Sequence, residues 1–412
     1  KITMSMSGVF LEQAENYQPE LIKALQGLVD AGQERGQLEF LDETYYHSLT
    51  SLFKDLAKRE FRDQVSLHRD KIRRLFGFFP SAFRNTELMY NNNIAAVVAD
   101  MGYRAILCEK RDDMFENGGA PISPNAVFRA RGSSLVVLPR HRELSDDIAF
   151  RFPHRPLTPE MYASFIARID GEAVILGFDY EHIGEHIWED KGIFAFWREL
   201  PAALALYPSI VMANPSEIAE HFREVECPVV DIDGLATSSW ADATRDTFGW
   251  LGNMTQYELF KDIETMEADA RKAGGDLLTH WRHLTTSDHV YFLHESIGED
   301  HAVHAYFNPY GGSISQPTYI LTRKIDQLMS DLARFEIIKR TEKTAVLIIT
   351  PETGPLPEEM GDLAKYISGK SGGQGEVVSA LCEGMTERGI NVHLVTLNLK
   401  RRFQRQSNLD EW

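Results

Sequence analysis

The stretch AFRNTELMYNNNIAAVVADMGYRAIL, Ala82–Leu107, contains the alternation that decides the fold class. It begins with a short apolar strand at Ala82–Arg84, continues through a helical segment at Asn93–Met101 and ends in a second apolar strand at Ala105–Leu107. Strands that alternate with helical segments pair in parallel, with the helices packed outside the sheet. The stretch therefore predicts one unit of a parallel α/β fold.

The same alternation extends to both sides of this stretch. Two further helices are predicted at Gln18–Gly32 and Leu49–Gly77, the second with a face of Lys, Arg and Glu side chains. About seven or eight strand–helix units fit a closed or nearly closed barrel better than an open sheet, and barrel enzymes gather their catalytic groups at the C-terminal ends of the strands. The other predicted strands are short apolar or alternating runs: Ile2–Met6, Leu38–Leu41, Leu135–Leu138, Val174–Phe178 and Ser209–Ala213.

The pattern changes after residue 254, where long amphipathic helices replace the strands. These helices are predicted at Thr255–Ala273, Asp276–Glu295 and Gln316–Lys339. We therefore predict a barrel domain over residues 1–254 and a helical module over residues 255–340 that packs on the barrel and contributes to its active site.

A strand–helix–strand pattern follows in residues 341–412. Strands Ala345–Ile349 and Val392–Leu397 flank Ser368–Glu387, which contains a glycine-rich turn and a helix. A single βαβ unit buries too little apolar area to be stable alone, so we predict a truncated, Rossmann-like start of a further domain. At the other end the chain enters strand Ile2–Met6 without a signal peptide, and we expect a chain trimmed at its N-terminus.

The composition excludes several classes of protein. The chain has 412 residues, 43% of them hydrophobic and 25% charged, with a net charge of −18 at pH 7. These values are typical of a globular protein and argue against a nucleic-acid partner. No run approaches the ~18 apolar residues of a membrane helix. The three cysteines form no CxxC pair, which argues against a cysteine zinc site and favours free thiols in the cytoplasm.

The first segment with catalytic potential is Phe83–Asn93, where a predicted strand ends in Arg84 and is followed by Glu87. An arginine beside a carboxylate favours its ionised form, which suits a nucleophile. The alternative is a surface ion pair at the start of a helix that Thr86 or Asn93 caps.

The second segment is Ala173–His186, in which a predicted buried strand runs into five Asp, Glu and His residues. So many charges cost solvation energy, which a fold tolerates chiefly at a functional site. In one interpretation Asp179 is a general acid whose pKa is raised by burial and a neighbouring carboxylate. In another, His182 and His186 bind a metal, although Gly184 weakens the helix that would present them. A purely structural cluster is the third interpretation.

Two further segments combine acidic, aromatic and hydroxyl side chains. Leu38–Ser48 suits a sugar site, or alternatively a helix start with acids near its dipole and tyrosines in the core. Leu284–Phe292 places Thr-Thr-Ser-Asp-His in a predicted helix, which indicates either a site or a helix start capped by Ser287. Five tryptophans lie in or near these segments and could stack on a sugar or pack in the core: Trp188, Trp197, Trp240, Trp250 and Trp281.

Together these segments resemble glycoside hydrolase family 57, the α-amylases and related α-glucan enzymes on an incomplete (β/α)7 barrel. The resemblance spans Lys1–Lys339. It implies that Glu87 is the nucleophile and Asp179 the acid/base, with an α-glucan or maltooligosaccharide substrate and neither a metal nor another cofactor. The residues it implies in substrate binding are Glu43, His47, Arg84, His186, Trp188 and Asp288. The motifs, in the family's order, are LEFLDETYYHS (Leu38–Ser48), FRNTELMYNNNIA (Phe83–Ala95), GFDYEHIGEH (Gly177–His186), ATSSWADATRDTFGWLGN (Ala236–Asn253) and LTTSDHVYF (Leu284–Phe292).

Departures from the family pattern bear on the specificity. The family's first region, a histidine-containing strand, is missing from this chain, and His182 and Ile183 stand where Thr and Phe are expected. The segment Ser368–Val378 resembles the glycine-rich loop of glycogen and starch synthase-type glycosyltransferases, in which a lysine and the glycine backbone face a nucleotide sugar. The alternative for this segment is an ordinary turn between a strand and a helix.

The function predicted from these residues and the resemblance is retaining α-glucan hydrolysis of the α-amylase type. One alternative is 4-α-glucanotransfer or branching on the same site. A second is a catalytically idle glucan-binding module fused to a glucan synthase, and a third is a metal-dependent barrel hydrolase or deacetylase. Neither a nucleic-acid nor a membrane partner is expected.

Overall fold

The computed structural model describes residues 1–33, 36–111, 125–155, 157–295, 308–310, 313–340, 345–350, 372–388 and 390–396. The chain forms two compact units. The first comprises Lys1–Arg271 and Leu278–Asp326 and contains all the candidate site residues. The second comprises Lys272–Leu277 and Gln327–Trp412.

The first unit contains a mainly parallel set of strands. The strands described are β1 Ile2–Met4, β2 Leu38–Phe40, β3 Ala82–Arg84, β4 Ala105–Glu109, β5 Phe128–Ala130, β6 Val136–Arg140 and β7 Val229–Val230. β1 pairs with β2, β3 with β4 and β4 with β6, all in parallel. A single parallel bridge joins Asp42, two residues after β2, to Phe83 in β3. Another joins Arg140, the last residue of β6, to Ile175. The parallel segments thus neighbour one another in chain order, as in a barrel wall. β5 pairs antiparallel with β6 and parallel with β7.

Helices occupy most of the intervals between the strands. Those of the strand-rich part are α1 Gly8–Tyr17, α2 Pro19–Gln33, α3 Arg59–Phe76, α4 Asn92–Asp100, α5 Arg142–Ala149, α6 Pro159–Ala167, α7 Ile193–Leu204 and α8 Pro215–His221. Those of the helical part are α9 Phe248–Leu251, α10 Met254–Thr265, α11 Glu267–Ala273, α12 Gly275–Leu284, α13 Ser287–Tyr291 and α14 Ser315–Arg340. None of the described helices combines the length and apolarity needed to cross a bilayer.

The β3–α4–β4 unit shows why the sequence folds in this way. Asn91 caps α4, because its side chain accepts a hydrogen bond from the backbone N of Ile94 at 2.9 Å. After the helix, Gly102 adopts a φ of 85° and redirects the chain towards β4. Ile94 and Val98, one turn apart, are buried in the same core as Phe83. Each such side chain contributes about 1.5–3 kcal/mol by burial.

Two predicted strands are not formed. Val174–Phe178 makes only the bridge at Ile175. The backbone of Gly177 forms hydrogen bonds with side chains and not with a strand. Its carbonyl accepts from Arg140 Nε at 2.6 Å and its N–H donates to Ser145 Oγ at 3.1 Å. Ser209–Ala213 is irregular, with the Val211 side chain 83% exposed. An apolar run predicts a strand only where a neighbouring strand is free to pair with it.

Two observed strands were not predicted. They are β5, with three residues, and β7, with two. Segments this short carry too few residues to show the two-residue alternation of a strand.

The second unit contains a parallel pair of strands, β8 Ala345–Thr350 and β9 Asn391–Thr396. Helix α15, Gly372–Thr386, lies between them in the chain, which is the predicted strand–helix–strand order. The first part of the predicted glycine-rich loop, residues 368–371, lies outside the described residues.

The domain boundaries at residues 254 and 340 stay predictions. The three cysteines of the chain are free, with Cys108 and Cys382 buried.

Candidate active site

Glu87 lies just beyond the C-terminal end of β3, in a single 3-10 turn at Thr86–Leu88. Its backbone is left-handed, with φ 55° and ψ 27°, and Leu88 follows with φ 52°. Left-handed conformations cost a non-glycine residue about 1–2 kcal/mol and persist where the surroundings hold them, often at active sites. The buried Asn85 braces this turn, because its Nδ2 donates to the Met89 carbonyl and to Ser51 Oγ at 3.0 Å each.

Three side chains donate hydrogen bonds to the Glu87 carboxylate. His47 Nε2 lies 3.0 Å from Oε1, and Trp240 Nε1 donates to Oε2 at 2.7 Å. Ser287 Oγ, at the start of α13, donates to Oε1 at 3.3 Å. The carboxylate is therefore fixed in orientation by groups from three distant parts of the chain.

His47 bridges two carboxylates. Its Nδ1 lies 3.2 Å from Glu43 Oε2, while its Nε2 contacts Glu87. Burial alone would lower the pKa of His47, but the hydrogen bonds and charges of Glu43 and Glu87 outweigh it and raise the pKa to about 10. Both ring nitrogens therefore carry protons at neutral pH, and both donate.

The surroundings keep Glu87 ionised. Burial raises the pKa of its carboxyl, but the hydrogen bond and charge of His47, the Trp240 N–H and the charge of Arg84 together hold that pKa below its ordinary value. The same logic lowers the pKa of Glu43 to about 2, where the bond and charge of His47 outweigh burial. A carboxylate that stays ionised at acidic pH suits a nucleophile.

The pKa of Asp179 is shifted in the opposite direction. It is half-buried after the irregular segment Val174–Phe178, and burial raises its pKa to about 6. The charge of Arg84 acts against this rise, while the negative charges of Glu87 and Glu181 add to it. Asp179 therefore lies within electrostatic range of Glu87 and holds a proton at a pH where Glu87 does not.

The structure brings most of the predicted site residues together. Glu43, His47 and Arg84 act directly on Glu87 or on its partner histidine. Both Glu43 oxygens already accept hydrogen bonds, from His47 and from Ser5 Oγ at 2.7 Å.

Asp288 also belongs to this group of charges. Burial of its carboxyl raises its pKa, which His47 lowers and Glu87 raises. The residue is nevertheless exposed to solvent.

The remaining two predicted residues are His186 and Trp188. His186 Nδ1 contacts His182 Nδ1 at 3.2 Å, and Trp188 is 68% exposed. Burial and the neighbouring His186 lower the pKa of His182 to about 4. In the described part of the chain, no group of three or more His, Cys, Asp or Glu side chains is placed to hold a metal ion.

Trp240 and Ser287 contact Glu87, whereas the sequence offered Trp240 as a sugar-stacking or core residue and Ser287 as a helix cap. Besides its indole bond, the Trp240 backbone N donates to the Glu87 carbonyl at 3.2 Å. The guanidinium groups of Arg84 and Arg140 lie 5.0 and 5.7 Å from its ring centroid, within reach of cation–π attraction. The available signal was the tryptophan segment Ala236–Asn253, which does not indicate which of its two tryptophans faces the site.

The chemistry that this arrangement permits is that of a glycoside hydrolase. One ionised carboxylate can attack a sugar's anomeric carbon while a second carboxyl, protonated near pH 6, gives its proton to the departing oxygen. A cleft at the C-terminal ends of parallel strands is where α/β barrels place such groups.

Comparison with known proteins gives the family. The sequence profile of glycosyl hydrolase family 57 matches residues 1–232, more than half of the chain, and the chain belongs to this family. A relative from Methanocaldococcus jannaschii, named "Putative alpha-amylase", is 35% identical over 322 residues, which cover 75% of this chain and 66% of the relative. The chain thus spans just under two thirds of that relative's length.

Solved structures of the family share the fold. The GH57 branching enzyme of Thermococcus kodakaraensis aligns with a TM-score of 0.57 at 14% identity, over 81% of this chain and 73% of that enzyme. The 4-alpha-glucanotransferase of Thermococcus litoralis aligns with a TM-score of 0.57 at 16% identity, over 81% of this chain and 53% of that enzyme. The likeness supports the predicted (β/α)7 barrel. The helical module and the glycosyltransferase-like start stay predictions.

Proposed function

We propose that this chain is a retaining α-glucan hydrolase of the α-amylase type. Glu87 attacks the anomeric carbon and forms a glycosyl ester, while Asp179 gives its proton to the departing glycosidic oxygen. Asp179 then takes a proton from water, whose oxygen displaces Glu87 and restores the original anomeric configuration. No further reactant is needed.

One observation supports this proposal above the others: two carboxyls whose charges act on each other have pKa values shifted in opposite directions. Glu87 has a lowered pKa and three hydrogen-bond donors, and Asp179 has a pKa raised to about 6. A module that only binds glucan has no need of this difference. The name of the Methanocaldococcus jannaschii relative agrees with the proposed activity.

The second candidate is 4-α-glucanotransfer or branching on the same residues, in which a glucan hydroxyl replaces water as the acceptor. Tyr180, directly after Asp179, is 50% exposed, and a ring at this position can stack on an acceptor glucan. A branching enzyme and a 4-alpha-glucanotransferase, one solved structure of each, share the fold.

A fusion of the hydrolase to a glucan synthase, through residues 341–412, is also part of this proposal.

The experiment compares wild type with Glu87→Gln and Asp179→Asn on two substrates, a maltooligosaccharide and a nitrophenyl maltooligoside. Each substitution preserves shape and removes one carboxyl. Glu87→Gln should abolish turnover of both substrates. Asp179→Asn should lose more activity on the maltooligosaccharide, because nitrophenolate leaves without a proton.

Products distinguish the two candidate reactions. Release of reducing ends that first appear as the α-anomer supports hydrolysis with retention, and longer or branched chains support transfer. Glu185→Gln, which changes an exposed carboxylate of the same segment, is the matched control and should behave as wild type. Unchanged turnover by Glu87→Gln or Asp179→Asn would remove that residue from the mechanism.

A further inference from the structure

A buried cluster behind the site joins the segments that carry the two catalytic carboxyls. We call it the Glu109 cluster. It consists of Glu109 at the end of β4, Arg140 at the end of β6 and Arg245 in the tryptophan segment Ala236–Asn253. Glu109 is 1% exposed and Arg140 is 6% exposed. Glu109 Oε2 accepts from Arg140 Nη1 and Oε1 accepts from Arg245 Nη1, both at 3.1 Å.

Arg140 connects this cluster to the Asp179 segment. Its Nε donates to the Gly177 carbonyl at 2.6 Å, two residues before Asp179. A Cβ on Gly177 would lie 3.8 Å from the Arg140 side chain, so the two are already in close contact. A third guanidinium nitrogen, Nη2, binds the carboxylate of Asp146, in the second half of α5. The end of the Asp179 segment is therefore held by a side chain whose own position is fixed from two sides.

The cluster also reaches the tryptophan that bonds Glu87. The Arg140 guanidinium lies 5.7 Å from the centroid of the Trp240 ring. Arg245, tied to Glu109 through its side chain, accepts a hydrogen bond from the Ser239 backbone N at 3.1 Å, one residue before Trp240. Trp240 Nε1 in turn donates to Glu87 at 2.7 Å.

We propose that Arg140 is a positioning residue. It fixes the positions of Asp179 and Trp240 relative to each other and so sets the separation of the two catalytic carboxyls. It does not bind substrate, because its side chain is almost fully buried. The guanidinium suits this role, since it offers five donors in a rigid plane, which a lysine cannot reproduce. A retaining mechanism depends on the separation, which must be about 5–5.5 Å. The role rests on the proposed function.

The test uses Arg140→Lys, which keeps the charge and loses the planar fork, and Arg142→Lys as the matched control. Arg142 is the next arginine in the chain, two residues after Arg140, and it pairs with the exposed Glu143. A misplacement of about 1 Å can cost about 100-fold in rate, so Arg140→Lys should lower kcat on a maltooligosaccharide by about that factor with KM changed less than about twofold. Arg142→Lys should match wild type in both constants.

A second variant guards against a folding defect. Glu109→Gln keeps the shape of the cluster and removes its negative charge, and it should lower kcat by about tenfold, again with KM preserved. Wild-type kcat in folded Arg140→Lys, or in Glu109→Gln if Arg140→Lys does not fold, would overturn the proposal. A rise in KM with kcat unchanged would also overturn it.

A measurement without turnover separates this proposal from the proposed function. The six tryptophans give indole N–H resonances in protein labelled with ¹⁵N-tryptophan, and Trp240→Phe assigns that of Trp240. Arg140→Lys should shift this resonance and Arg142→Lys should leave it unchanged. If wild type turns over no glucan but the resonance shifts, the proposed function fails and the structural link stands. An unmoved resonance overturns the link itself.

Discussion

Replacing His47 with glutamine tests how the site keeps its nucleophile ionised. The change removes the imidazolium between Glu43 and Glu87 and leaves a side chain that can still donate a hydrogen bond. Because the charge of His47 lowers the pKa of Glu87, its loss raises that pKa. A glutamate must be ionised to attack, so the acid limb of the pH profile of kcat/KM must move to higher pH.

The geometry sets the size of this shift. The bond from His47 Nε2 to Glu87 Oε1 is 3.0 Å long, and the two side chains are only 24% and 16% exposed, so water screens the pair little. A hydrogen bond between charged groups contributes about 1.5–3 kcal/mol and one from a neutral donor about 0.5–1.5 kcal/mol, and about 1.4 kcal/mol corresponds to one pH unit. The difference between the two bonds therefore predicts that the acid limb rises by about one pH unit. Because His47 also lowers the pKa of Asp179, the basic limb should rise too, and by less.

The assay is kcat/KM for a maltooligosaccharide between pH 3 and 9 at constant ionic strength. His154→Gln is the control, because His154 is exposed and its loss should leave both limbs in place. An acid limb that stays fixed or moves to lower pH in His47→Gln would refute the assignment of His47 as the group that keeps Glu87 charged.

The other predictions concern the acid, the indole and the core beneath the site. Asp179→Asn should remove the basic limb near pH 6 and lower kcat on unactivated glucan by about 100–10,000-fold; a retained limb in the pH profile would contradict this. Trp240→Phe keeps the ring between its arginines and deletes the N–H donor, so it should raise the acid limb by about one to two pH units, and an unchanged limb counts against the bond. Asp42→Asn should lower the melting temperature strongly, because the fully buried Asp42 accepts from His68 and Tyr103, and breaking a buried pair costs about 3–5 kcal/mol. Tyr103→Phe should lose about half as much in the same melting experiment, and equal losses would mean that the hydroxyl, not the carboxylate, dominates.

The parts of the fold that follow a local period were predictable from the sequence. β3, α4 and β4 alternate within a few tens of residues, and their predicted and observed bounds differ by two residues or fewer. The segment Val174–Phe178 has the composition of a strand, yet the side chains of Arg140 and Ser145 take the backbone bonds of Gly177. Such competition depends on residues far away in sequence and leaves no local trace.

The candidate site divides in the same way. Glu87 and Asp179 are recognisable because each follows a strand-like run within a motif. The hydrogen bonds that hold Glu87 are not recognisable from the sequence, because their donors Trp240 and Ser287 lie 153 and 200 residues further along the chain. Only the folded chain shows that His47, expected to bind sugar, also bridges Glu43 and Glu87.

The most direct test of the central claim is to trap the glycosyl-enzyme. In Asp179→Asn, an α-maltosyl fluoride can still form the ester, because fluoride leaves without a proton, but the ester hydrolyses slowly for lack of a base. Mass spectrometry of the quenched protein should show one maltosyl group per chain, on the peptide that contains Glu87. A maltosyl group on another carboxylate, or fluoride release with inversion and no covalent adduct, would contradict the assignment of Glu87 as the nucleophile.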